Sequence, residues 1–80
     1  MATILLTQLR PGQIAIVQGF SPKINPQYRK LLQHLGLRLR TAVTFIRLAP
    51  LGDPLQLQIL GSQFSLRAHE ASHIYVKSLN

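Results

Sequence analysis

From residue 55 the chain alternates between apolar and polar positions. Leu55, Leu57 and Ile59 face one way and Gln56 and Gln58 the other, the pattern of a half-buried strand. The alternation resumes with Phe64 and Leu66 against Ser65 and Arg67, so Gly61-Ser62 is the expected two-residue hairpin turn. It returns once more with Ile74 and Val76 against Tyr75 and Lys77. Upstream, Thr41 to Leu48 carries Val43 and Phe45 on one face. Gln13 to Phe20 is rich in β-branched residues and of strand length.

One segment has a different period. Tyr28, Leu31, Leu32 and Leu35 recur at i, i+3, i+4 and i+7, which predicts a helix burying a single apolar stripe. Arg29, Lys30, Gln33 and His34 fall off that stripe and are expected to face water. Asn25 before Pro26 reads as the N-cap and first helical residue, and Gly36 as a left-handed cap at the far end. Pro11-Gly12 suits a type II turn. Two prolines and a glycine make Pro50-Leu51-Gly52-Asp53-Pro54 a loop.

About five short strands with one short helix inserted after the first make a small β-barrel or two-layer sheet. The whole of residues 1–80 is expected to be a single domain with its core at about 9–77. Apolar residues make up 46 % of the chain and charged residues 14 %, too apolar a balance for a disordered tail. The longest aliphatic run, Ile4-Leu5-Leu6, is far short of the roughly 20 residues of a membrane span. The N-terminus has no signal-peptide character and cysteine is absent, so a cytoplasmic location is expected.

Charge changes the picture more than composition does. Nine Lys and Arg stand against two acids, Asp53 and Glu70, for a net charge of +7. Such a domain is drawn to negative surfaces, whether nucleic acid, anionic lipid or an acidic protein.

His69-Glu70-Ala71-Ser72-His73 matches the His-Glu-x-x-His pattern of zinc metalloproteases. That chemistry needs both histidines on one helical face, a third protein ligand and a glutamate poised beside the metal-bound water. Here the motif lies between two alternating segments, in little more than one helical turn. Only His34 and Asp53 are left as third ligands, and a chain of this size is expected to offer no substrate cleft of enzyme size. The histidines are read as part of a connecting turn. No P-loop, paired carboxylates or nucleophile elbow occurs, so a non-enzyme is expected.

Taken in order, these signals resemble a known family. Leu9-Arg10-Pro11-Gly12-Gln13, Leu31 to Leu37, Ala49-Pro50-Leu51-Gly52-Asp53-Pro54-Leu55, Phe64-Ser65-Leu66-Arg67, Glu70-Ala71 and Ile74-Tyr75-Val76 together are similar to the FeoA family. The resemblance implies an SH3-like barrel encoded with the bacterial ferrous iron transport system. It also accounts for Glu70-Ala71 as a family feature, leaving the flanking histidines peculiar to this chain. In one place the chain departs from the pattern: Arg40 stands where the family usually has a turn glycine.

The resemblance implies an accessory role, exerted by binding the GTPase portion of the membrane permease FeoB. The residues expected to meet the partner are Leu51, Gly52 and Asp53, in the loop between prolines, and Arg29, Lys30, Arg38 and Arg40 around the helix. Those cations equally suit an anionic membrane surface, with recruitment to the inner face of the plasma membrane. A second copy of the chain is a further candidate partner. No resident cofactor is expected; transition-metal binding, which the resemblance also implies, would have only His69 and His73 to draw on. The alternative function is nucleic-acid binding, although Phe20, Phe45 and Phe64 sit on faces a core would claim and only Tyr75 looks free to stack. A related barrel occurs in metal-dependent transcription regulators beside a helix-turn-helix. The chain, opening on Met1, is expected to be complete and leaves no room for one.

Overall fold

The computed structural model describes residues 3–79. They form six antiparallel strands and two helices: β1 (Thr3–Leu5), β2 (Ile14–Phe20), α1 (Pro26–His34), β3 (Ala42–Leu48), β4 (Leu55–Ile59), β5 (Ser62–Leu66), α2 (Ala68–Ala71) and β6 (Ile74–Ser78). The strands make one sheet in the order β1-β6-β2-β3-β4-β5. Two register shifts bend it, one in β2 between Val17 and Gly19 and one in β3 between Phe45 and Arg47. Each inserts an extra residue, which sharpens the local twist and lets so short a sheet wrap its own core.

That core is what the alternation marks. Val43, Phe45, Leu55, Leu57, Ile59, Leu66, Ile74 and Val76 are all buried. The strand count exceeds the expected five by β1, which pairs with β6 but at three residues is too short to show a period. A single 3-10 turn follows it at Leu6–Gln8, where Leu6 is fully buried. No helix among the described residues is long and apolar enough to cross a membrane.

The helix α1 has the expected ends. The Asn25 carboxamide oxygen accepts from the Gln27 and Tyr28 N–H groups. At the other end Gly36 has φ 110°. Its N–H donates to the Gln33 carbonyl while Leu37 N–H reaches back to Leu32, closing a Schellman motif. A Cβ on Gly36 would lie 3.2 Å from Ile59 Cγ2, so the glycine also lets the helix end press against the end of β4.

Two expectations need correction. The stripe on α1 is not buried as a whole: Leu32 is, Tyr28 partly, but Leu31 and Leu35 are each 51 % exposed. The core slot beyond Leu32 is filled instead by Leu37, swung inward by the chain reversal at Gly36. The β4–β5 turn is Leu60-Gly61, one residue earlier than Gly61-Ser62, because Ile59 pairs directly with Ser62. Both turn residues have positive φ, 51° and 85°, as a type I′ turn demands.

Candidate partner-binding surface

The two acidic side chains, Asp53 and Glu70, both lie at α2. Asp53 Oδ1 accepts from the Ala68 N–H at 2.8 Å, capping the first turn of α2 from 15 residues away. Its other oxygen is 3.7 Å from an Arg67 guanidinium nitrogen. The Asp53–Pro54 bond is cis. Asp53 therefore braces the loop against α2, and the exposed tip of that loop is Leu51, 96 % accessible, beside Gly52. Glu70 lies beside the Tyr28 hydroxyl, close enough to act on it. Burial chiefly, and then the Glu70 carboxylate, push the Tyr28 phenol up to about 12.

His69 and Glu70 lie on α2, and His73 just beyond it, so the connecting segment is a single helical turn. The imidazole rings meet edge to face with centroids 5.3 Å apart. Together with Tyr28, Leu31 and Glu70 they line an open hollow of about 580 Å³ between α1 and α2. That is larger than the chain's length suggested, because side chains of both helices wall it. As a metal site the donor set is short. Among the described residues no three or more His, Asp or Glu side chains converge. Two imidazoles do not make the three- or four-ligand shell of a resident zinc ion.

The expected cationic residues are brought together in part. Lys30 and Arg38 line one hollow of about 480 Å³ with His34 and Leu39. Arg38 Nε also donates to the Gln33 carbonyl at 2.9 Å, placing a cation on the open carbonyls of the α1 C-terminus. Arg29 and Arg40 are exposed but line none of these hollows. Arg40 holds the third position of a type II turn with φ 69°, its N–H on the Val17 carbonyl, so the turn survives without its usual glycine. The phenylalanines offer little to a nucleobase: Phe45 is in the core, and Phe20 and Phe64 pack against it, whereas Tyr75 is half-buried.

The approach of Tyr28 to Glu70 and the exposure of Leu31, Leu35, Leu39 and Leu60 are features the sequence pattern did not single out. Tyr28 sits on an apolar stripe, and nothing local links it to a glutamate 42 residues away. Leu60 did carry a signal: the β4 alternation puts it on the side of Gln56 and Gln58.

A family model for the FeoA domain matches residues 4–78. A solution structure of a FeoA protein from Chlorobium tepidum is 32 % identical, with a TM-score of 0.89 over 96 % of this chain and 71 % of that one. A Stenotrophomonas maltophilia FeoA complexed with zinc, described as an SH3 domain protein, is 26 % identical, with a TM-score of 0.79 over 92 % of this chain and 89 % of that one. A manganese-dependent transcriptional repressor shares the fold at 21 % identity and a TM-score of 0.87, 99 % of this chain covering 38 % of that one. With its SH3-like barrel and a match running almost end to end, the chain belongs to the FeoA family.

Proposed function

We propose that this chain is a non-catalytic, cytoplasmic accessory protein of bacterial ferrous iron uptake that acts by binding the GTPase portion of FeoB. Family membership supports the link to iron transport. The observation that carries the binding mode is the segregation of charge. Both acidic side chains lie at α2, while Lys30, His34 and Arg38 line a hollow without an acidic group. Such a surface steers an acidic partner into place and fixes its orientation. The exposed Leu51 tip, on a loop braced by Asp53, offers a preordered second contact at small entropic cost.

The test is capture of the cytoplasmic portion of FeoB on the immobilised protein at low salt. Capture is expected, with loss at high salt and on Lys30→Glu or Arg38→Glu. No association at low salt overturns direct binding. A labelled oligonucleotide retained in place of the permease would favour the nucleic-acid alternative instead.

A further inference from the structure

The β4–β5 turn breaks the rule for its own geometry. A type I′ turn favours Asn, Asp or Gly at its first position, where φ is positive. Here that position is Leu60, at φ 51°, and its side chain is 92 % exposed. No core contact offsets the strain of a branched apolar residue in the left-handed region. A strained, fully presented leucine points to something outside the chain.

The surroundings say what that is. Leu60 lines a hollow of about 340 Å³ with Leu35, His34 and Arg38. His34 and Arg38 also line the adjoining hollow, where Lys30 and Leu39 lie. Leu31 is one helical turn before Leu35 and equally exposed, and Leu39 is 58 % exposed. Exposed leucines thus stand among cations, and neither carboxylate of the chain lines these two hollows.

We propose that this face docks peripherally on an anionic bilayer. Leu35 and Leu60 enter the boundary between headgroups and acyl chains, and Lys30 and Arg38 meet the lipid phosphates. A bilayer interface accepts apolar tips and basic side chains together. A nucleic acid would be served by the cations but gains nothing from aliphatic tips. A protein hot spot is a packed pocket, whereas these leucines project separately from a turn and a helix flank. The permease reading uses the same Lys30 and Arg38, so lipid and permease engage these cations in turn; the bilayer reading does not need the permease, and vesicles without it separate the two.

The experiment is co-sedimentation of the full chain with phosphatidylcholine vesicles containing about 30 % phosphatidylglycerol, against pure phosphatidylcholine, at low salt. Binding to the anionic vesicles alone is expected, weakened at least about fivefold by Lys30→Glu or Arg38→Glu. Leu60→Asn suits the turn and so is expected to raise the melting temperature while weakening vesicle binding, opposite movements that a folding defect cannot give. Leu35→Ser weakens binding independently. The proposal is overturned by absence of binding at low salt, or by equal binding to neutral vesicles. It is overturned too if both leucine variants bind like the parent, which would mean adsorption by charge alone. Concentration-dependent dimerisation that Leu60→Asn abolishes would assign the face to a second copy and sink the lipid reading.

Discussion

Arg40 sits in a turn closed by the Thr41 N–H on the Arg38 carbonyl, with φ 69° at the position where a type II turn favours glycine. The strain of an L residue there is about 1–2 kcal/mol, part of which glycine gives back through its greater freedom when unfolded. Arg40→Gly is therefore expected to stabilise the domain by about 1 kcal/mol, read as a higher urea midpoint at unchanged slope. A drop in stability would mean that the arginine side chain makes a contact worth more than the strain. The sequence marked Arg40 as a departure from a family turn. That the turn keeps its shape is a tertiary result, fixed by the Arg40 N–H on Val17 of the neighbouring strand.

At the scale of elements, α1 and α2 face each other where the Tyr28 phenol lies beside the Glu70 carboxylate. The folded state holds the Tyr28 proton more tightly than the unfolded chain, moving its pKa from 10.0 to about 12. The stabilisation, owed chiefly to burial of the phenol and then to Glu70, is thus fully present below pH 10 and is lost as pH rises through about 12. Melting temperatures across that window should fall more steeply for the parent than for Tyr28→Phe; parallel curves would show that folding leaves the proton affinity of the phenol unchanged. The ends of α1 were legible because capping is local: Asn25, Pro26 and Gly36 act on backbone groups within a few residues. Which leucines α1 buries was not, since a period of 3.6 defines a stripe but not how much of it the sheet can reach. The hollow holding His69, Glu70, His73 and Tyr28 was illegible for the same reason, its two walls being separated by about 40 residues of chain.

For the molecule as a whole, 80 residues leave a small margin. Stability of roughly 0.05–0.15 kcal/mol per residue gives about 4–12 kcal/mol in total. Phe45, at the centre of the core beside a bulge in β3, is 2 % exposed. Phe45→Ala costs about 3–5 kcal/mol at such a site. The variant is expected to be substantially unfolded or to melt far below the parent by circular dichroism, whereas a loss under about 1 kcal/mol would show that the core collapses to fill the space.

Sequence by itself determined which strand faces make the core, the limits of α1, the cationic character of the surface and the family. These follow from periodicity, local capping and composition, which act over a few residues or over the whole chain at once. Tertiary structure alone decided that Asp53 braces α2, that Glu70 answers Tyr28 and that Leu35 and Leu60 come to one hollow rimmed by Arg38. Each is a meeting of distant segments, and burial is settled only by what the rest of the fold leaves uncovered.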